Sequence, residues 1–498
     1  VAALSTACRF RGHECALINV NDKLYPALKK DDAVIELAKS HAPEAIGFSI
    51  VTQQWDIAAR LAQKLKAALG VPIIAGGVHV TMAPGEVMNE PAFDFAVLGE
   101  ADEALPELLD ALWFRRDPCG IKNVWARRGT EIVKNPVRPF PKAESIPSMD
   151  YGLFDFQHLT DSKDGWVGVM AGRGCPYRCT YCFNHALIER YRRETGLSAS
   201  ELGYVRFLPV ERVIENLLDI VKKYKRVSTF IFDDDTFTFD RDYVQRFCRA
   251  YKQSRIGIPF VVNAHVRSFD SEIAKALKSA GCSVLKFGLE SGNARVRKEV
   301  LRRPMSDGKI ESSFAAAHEA GLHTSAFLMI GLPTETVEEM RDTVRMLGRI
   351  RPGRFRWSVF YPFPGTEAER IAREHGQINE KKLPALRNFM EASPLDFGEE
   401  HNFLIEKMNL AFPWFVNASS KLPAAAFYAE KAAALEAMNR GQFEEFKKNF
   451  RALDAEYSKK FRREGLEHYA VKYNPFMGVS SKFFLAEEGA PKAHEKHV

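Results

Sequence analysis

No glycine-rich nucleotide fingerprint occurs in the 498 residues. Neither G-x-G-x-x-G nor G-x4-G-K-[ST] is present, which sets aside nicotinamide and P-loop chemistry. No apolar run reaches the length of a membrane span. Neither charge sign dominates. Seventy basic against 64 acidic residues leave a net charge of +6, too small to argue for nucleic-acid binding. The N-terminus shows no basic segment followed by an apolar core, so no secretory signal is expected. Cysteine is scarce too. Of the eight, Cys8, Cys15, Cys119, Cys248 and Cys282 are scattered without motif, which suits a reducing compartment better than a disulfide framework.

The other three cysteines are together. The stretch Trp166 to Asn184, WVGVMAGRGCPYRCTYCFN, carries Cys175, Cys179 and Cys182 as C-x3-C-x2-C. An apolar strand, Val167 to Ala171, precedes them, and Gly172, Gly174 and Pro176 force a loop. Three thiolates on one loop suit three corners of an iron–sulfur cubane. A closed cluster wants a fourth cysteine, and none lies nearby, so one iron would stay open for a ligand. A zinc site is the alternative. It wants four ligands, usually as two spaced pairs, and His185 follows the last cysteine too closely to fold back easily.

The length predicts two or three domains, and 46% hydrophobic residues support sizeable cores. Over residues 1–140, strands are expected at Cys15 to Val20, Ala45 to Val51, Val71 to Ala75 and Phe95 to Leu98. The last three alternate little, as strands buried on both faces do. With helices at Trp55 to Leu69 and Ala101 to Phe114, they argue a doubly wound parallel sheet. Ligands of such sheets bind at the strand carboxyl ends. Those ends carry Ser49 and Thr52, then Gly76, Gly77, His79 and Thr81, then Gly99 and Glu100. Ordinary strand-to-helix turns remain the alternative. The chain opens at Val1 inside an expected helix, Ala2 to Arg11, so a first strand is expected to be missing. Residues 141–165, bounded by Pro136, Pro139, Pro141 and Pro147, read as a linker.

Residues 166–375 alternate again, with strands at Val167 to Ala171, Ser228 to Phe232, Pro259 to Val262, Ser283 to Leu289, His323 to Ile330 and Arg356 to Tyr361. Helices fall between them at Glu211 to Tyr224, Arg241 to Gln253, Ser271 to Ala280, Lys309 to Ala320 and Thr336 to Ile350. Right-handed crossovers curl six such units toward a partial (β/α)6 barrel. The acids Asp233, Asp234 and Asp235 end the second strand, where they suit an ammonium group. Asn263, His265 and Arg267 end the third, and Arg267 suits a carboxylate. Residues 376–498 read as mostly helical: Pro384 to Ala392, Phe403 to Leu410, Leu422 to Asn439 and Gln442 to Gly465. Strand patterns stop there. Phe412, Trp414 and Phe415 around Pro413 are core or pocket lining, and the last dozen residues are expected to fray.

Cys175-Pro-Tyr-Arg-Cys179-Thr-Tyr181-Cys182, with an aromatic just before the last cysteine, resembles the loop of radical S-adenosylmethionine (SAM) enzymes. The resemblance implies a [4Fe-4S] cluster whose open iron chelates SAM and whose electron cleaves it to a 5′-deoxyadenosyl radical. It places Asp234 and Asp235 near the methionyl end, and likens Gly288 to Gly292, with Glu290 and Ser291, to the family's ribose contacts. Gly331 to Glu335 resembles the turn beside the adenine, and Tyr361 to Thr366 a recurrent end of the domain. Gly47 to Ser49, Thr52, Gly76 to Thr81 and Gly99-Glu100 resemble the cobalamin-binding (B12) domain that precedes many radical SAM domains. The D-x-H-x-x-G motif that supplies a lower cobalt ligand is absent. On position His79 is expected to contact the corrin or its tail. The resemblance implies a cytoplasmic enzyme that methylates an unactivated carbon of a small molecule, with flavodoxin or ferredoxin as electron donor. Cyclisation, rearrangement or oxidation without methyl transfer, and a cobalamin- or SAM-sensing protein, are the alternatives. Substrate identity is expected to reside in residues 376–498.

Overall fold

The apolar runs at 46, 73 and 95 become three adjacent parallel strands, β1 (Ile46–Ser49), β2 (Ile73–Gly76) and β3 (Phe95–Val97). The helix Trp55–Leu69 between the first two is held by one apolar stripe, Ala58, Leu61, Ala62 and Leu65, all buried. It stops at Gly70, whose left-handed backbone (φ 68°) only glycine adopts without strain. The computed structural model describes residues 1–383, 392–472 and 476–485. It separates into two compact units. The first comprises Val1–Ser162, Cys182–Pro209 and Phe363–Thr366, and the second Lys163–Tyr181, Val210–Pro362 and Glu367–Val498.

The first unit has the expected α/β layers, with three corrections. Its sheet is not parallel throughout. An antiparallel hairpin, β4 (Val124–Arg128) and β5 (Glu131–Lys134), extends it beyond β3 in the order β1-β2-β3-β4-β5. Residues Cys15 to Val20 form no strand, because β1 is the edge and no residue of that stretch is buried. For the same reason β1 is not covered on both faces: Gly47 and Ser49 are exposed, whereas β3 is buried throughout. Residues 141–162 carry short turns and the helix Phe156–Ser162. They tie back to the first helix, Ala2–Phe10, through Ser5 Oγ to Asp150 (2.8 Å) and Thr6 Oγ1 to the Ser148 carbonyl (2.7 Å).

The second unit is built on six parallel strands in chain order: β6 (Trp166–Val169), β7 (Thr229–Phe232), β8 (Phe260–Ala264), β9 (Cys282–Glu290), β10 (His323–Ile330) and β11 (Arg354–Val359). All five expected helices form, four of them beginning at a side-chain cap. Asp240, Asp270 and Ser306 accept from the first free amides of their helices, and Thr336 with Glu339 makes a capping box. Strands do not stop at residue 375. β12 (Ala470–Val471) and β13 (Met477–Val479) pair antiparallel beyond β11. Strands this short carry no alternation to read. The aromatic break at Pro413 lies inside one helix, Glu399–Ala418, which kinks at Ala411 (φ −122°, ψ 32°). Phe412, Trp414 and Phe415 are buried, and Trp414 Nε1 donates to Asp454 at 2.8 Å. The helices Ala425–Ala437 and Arg440–Arg463 follow. The expected helix Pro384 to Ala392 and the frayed terminus lie outside the described residues, except Ala392 itself. Among the described residues no helix is long and apolar enough to cross a membrane.

Candidate active site

The cysteine loop leaves β6 through a backbone bracket. Asp234, buried at the end of β7, accepts from the Ala171 amide with both carboxylate oxygens at 3.1 Å, and also from the Gly172 amide. Burial still raises its pKa to about 7. Asp234 therefore spends its acceptors on the chain that launches the loop. Asp235, the next acid, is exposed and lies close enough to Cys175 to act on its charge. Gly174 takes a left-handed backbone (φ 91°) just before Cys175. Burial holds the Cys175 thiol up at about 12, so iron must displace a proton there. Tyr177, two residues on, stacks on His265 at 3.7 Å and lies under the Arg267 guanidinium at 5.9 Å. His265 is held down at about 2 by burial and by the cations Arg303 and Arg267.

The far side of the loop is pinned by an unusual turn. Val296–Val300 winds as a π-helix, a geometry frequent at functional sites. Its exit carbonyls catch Thr180: Oγ1 donates to Val300 at 2.6 Å and the amide to Leu301 at 3.1 Å. Arg303 follows at once, nearly buried. Its Nη1 donates to the Cys179 sulfur at 3.4 Å, and its Nε and Nη2 to the Gly288 carbonyl at 3.2 and 2.7 Å. Burial opposes its charge, yet Tyr181, Glu290 and Cys179 around it hold its pKa above the ordinary arginine value. Glu290 closes the ring. It sits at a β-bulge between β9 and β10 with a left-handed backbone (φ 66°), and Tyr181 hydrogen-bonds its carboxylate. Burial raises its pKa, and Arg303 and Tyr181 oppose that.

Ser291 is fully buried and shapes its own loop. Its hydroxyl accepts from the Asn293 amide at 3.2 Å and lies 3.4 Å from Thr343 Oγ1. Gly331 turns at φ 70°, and Glu335 below it accepts from the Leu332 amide at 3.1 Å. Glu335 Oε1 is buried without a hydrogen bond, and burial raises the group to about 8.

In the first unit the strand ends are more self-occupied than the sequence reading supposes. A Cβ on Gly77 (φ 103°) would lie 2.6 Å from the Ile50 backbone, so this glycine makes room for chain rather than for a ligand. Gly99 (φ 69°) abuts the Tyr191 hydroxyl, to which the Glu100 amide and Asn123 Nδ2 donate at 3.3 Å. Glu100 pairs with buried Arg206, Nη1 to Oε2 at 3.1 Å. His79 is fully buried, its ring tilted against Trp55 at 5.0 Å with Nε2 3.7 Å from Glu86. Thr52 is buried, Gly76 is half-buried, and Ser49 is exposed at the end of β1. Gly47 has nothing within 4 Å of where a Cβ would stand, so this edge is open. Cys182 caps the helix Phe183–Thr195, which carries Tyr191.

The model of the B12 binding domain matches residues 1–109, and that of the Radical SAM superfamily matches residues 169–347. The chain belongs to the cobalamin-dependent radical SAM enzymes. An uncharacterized methyltransferase of Pyrococcus horikoshii is 28% identical over 67% of this chain and 70% of its own. The anaerobic magnesium-protoporphyrin IX monomethyl ester cyclase of Cereibacter sphaeroides is 24% identical over 68% and 56%. The solved structure of the radical SAM methyltransferase TsrM from Kitasatospora setae, with tryptophan and a SAM analogue bound, shares the fold at a TM-score of 0.63. Its identity is 16%, over 85% of this chain and 86% of that one.

The family's cofactors are a [4Fe-4S] cluster, SAM and cobalamin. The residues present fit the first of these. None of Cys175, Cys179 and Cys182 is paired in a disulfide, and the Arg303 guanidinium donates to the Cys179 sulfur. Among the described residues no three His, Cys, Asp or Glu side chains converge as a single ion needs, but a cubane spreads its thiolates over separate irons. Sequence reasoning missed Arg303, Thr180 and Tyr191. The pattern Arg302-Arg303-Pro304 after a strand-end loop gives no signal for a cation folded back onto a sulfur 124 residues earlier.

Proposed function

We propose that this chain methylates an unactivated carbon of a small molecule. The observation that carries the reading is the pairing, in one chain, of a B12-binding match with a radical SAM match that holds the three-cysteine loop. When bound, the cluster and SAM supply a 5′-deoxyadenosyl radical, and cobalamin supplies the methyl group. In this reading residues 1–140 bind cobalamin, 141–165 link, 166–375 form the radical SAM domain and 376–498 relate to substrate. Cys175, Cys179 and Cys182 hold iron. Asp235 and Arg267 are assigned to the methionyl end of SAM, with Asp234 fixing the loop beside them. Glu290, Ser291 and Gly331 are assigned to its ribose and adenine. Ser49, Thr52, Gly76, Gly77, His79 and Glu100 are assigned to cobalamin. Ser49 is the open contact of the six, while Gly77, His79 and Glu100 act through the loops they pack. The enzyme works in the cytoplasm, which the eight free cysteines support, and takes its electron from a flavodoxin or ferredoxin.

The chain's own residues keep the site in shape. The Thr180 hydroxyl and amide hold the loop on the π-turn carbonyls, and Tyr181 fixes the Glu290 carboxylate against Arg303. Methyl-labelled SAM tests the reading. Once a substrate is in hand, its product should carry the label, with S-adenosylhomocysteine and 5′-deoxyadenosine formed in comparable amounts. The cyclase relative favours one rival, ring closure without methyl transfer. That rival yields deoxyadenosine, an unlabelled product and no stoichiometric S-adenosylhomocysteine.

A further inference from the structure

The parallel sheet of the second unit carries a cationic layer on its inner face. On β11, Phe355 and Trp357 pack outward on Phe412, at 6.0 and 5.2 Å between rings. Arg354 and Arg356 therefore take the opposite face. On β9, Phe287 packs outward between Phe269 and Phe314, which turns Lys286 and Gly288 inward. Strand register sets Lys286, Ser325 and Arg354 side by side across β9, β10 and β11, and places Arg356 two residues further along β11, opposite Phe327.

These cations are poorly matched. Arg354 is 1% exposed and donates through Nε to Ser325 Oγ at 2.9 Å, its guanidinium lying over Phe484 at 4.9 Å. The Lys286 side chain is 10% exposed, and its Nζ lies 4.0 Å from Asp233, an acid that Lys163 also neutralises. Among the described residues the Arg356 guanidinium makes no hydrogen bond or ion pair. Among the described residues, three inward cations thus face one carboxylate. Burying like charges together is costly unless a counter-ion joins them. Burial, with Arg354 and Arg356 adding to it against Asp233, brings Lys286 down to about 8, and burial with Arg356 brings Arg354 down to about 9.

We propose that this layer binds an anionic group of the substrate, a carboxylate or phosphate, through Lys286 and Arg356 with Arg354 beside them. Assignment of the anion to the substrate rests on the function proposed above; the anion site itself rests on the layer alone. The bidentate fork of Arg356 and the point charge of Lys286 suit such a group.

Inorganic phosphate is the probe. The full chain, reconstituted with iron anaerobically, is unfolded by heat in phosphate and in chloride of equal ionic strength. Wild type should melt several degrees higher in phosphate. Lys286→Gln and Arg356→Gln should lose most of that difference, because the general salting effect of phosphate acts on all three proteins alike. In chloride Arg356→Gln should melt above wild type, since one of three like charges is gone; a merely structural arginine would lower the melting point when removed. A wild-type protein that melts alike in both salts, or variants that keep the whole phosphate effect, would overturn the proposal. So would a more than tenfold loss of SAM affinity in both variants, which would give the layer to the SAM carboxylate. Deoxyadenosine formation by wild type under reductant reports separately on the radical reading.

Discussion

Arg303 hydrogen-bonds the Cys179 sulfur through the same guanidinium that grips the Gly288 carbonyl at the end of β9. Hydrogen bonds to cluster sulfurs and nearby charge set the potential of an iron–sulfur centre. Arg303→Gln should still assemble about four irons per chain, as a three-cysteine cubane requires. Its reduction potential should fall by tens of millivolts, read by a redox titration followed by electron paramagnetic resonance. An unchanged potential would remove Arg303 from the cluster's surroundings.

The triad and the scattered cysteines should separate cleanly. Alanine at Cys175, Cys179 or Cys182 should abolish iron loading and SAM cleavage. Cys248 and Cys282 are buried in the second unit, away from any motif. Their alanine variants should load iron normally, with a stability loss of about 1–2 kcal/mol from the small cavities. Iron content per chain decides between them.

Gly77→Ala should destabilise the protein even without cobalamin. The new methyl would sit 2.6 Å from Ile50 backbone at a φ of 103°. A cost of about 1–3 kcal/mol is expected, enough to lower the melting point by several degrees. A glycine kept only to admit a ligand would leave the cobalamin-free protein unaffected.

Glu335 should make stability fall as pH rises. Its folded-state pKa of about 8 lies above the ordinary 4.5 because burial disfavours the charge. The unfolded chain loses that proton first, so the group's contribution is intact below pH 4.5, declines through the window up to 8, and is flat beyond it. Glu335→Gln keeps an acceptor for the Leu332 amide and carries no charge. The variant should therefore gain on wild type between pH 6 and 8.5, by up to a few kcal/mol. Denaturation midpoints across that range check it, and a difference independent of pH would refute it.

Most of the second unit was legible because its strands are mainly apolar runs closed by polar residues, and four of its five expected helices begin at a side-chain cap. The strand-end positions of Asp234, Glu290 and Gly331 were readable for the same reason. What those side chains bond to was not. Asp234 finds its amide 63 residues earlier, and Glu100 its arginine 106 residues later. Pairings at that range leave no local spacing to detect. Cys15 to Val20 was misread, and the hairpin β4–β5 missed, for a different reason. Whether a short apolar stretch becomes a strand depends on a neighbour to bond with, and neither sequence states its neighbour. The π-turn at Val296–Val300 has no compositional sign at all.

The first compact unit is not one continuous stretch of chain. Tyr191, Tyr204 and Arg206 belong to it, although they follow the cysteine loop, and Phe140 stacks on Tyr191 at 4.0 Å and lies beneath Arg206 at 5.0 Å. A fragment ending at the proline-rich stretch would strip away this cover, taking Tyr191 from Phe140 and Arg206 from Glu100. The corrin-binding half is therefore not a cassette that recombination can lift out at the linker. A shuffled gene would have to carry residues 182–209 along with it, and so the first turn after the last cysteine of the radical-generating loop.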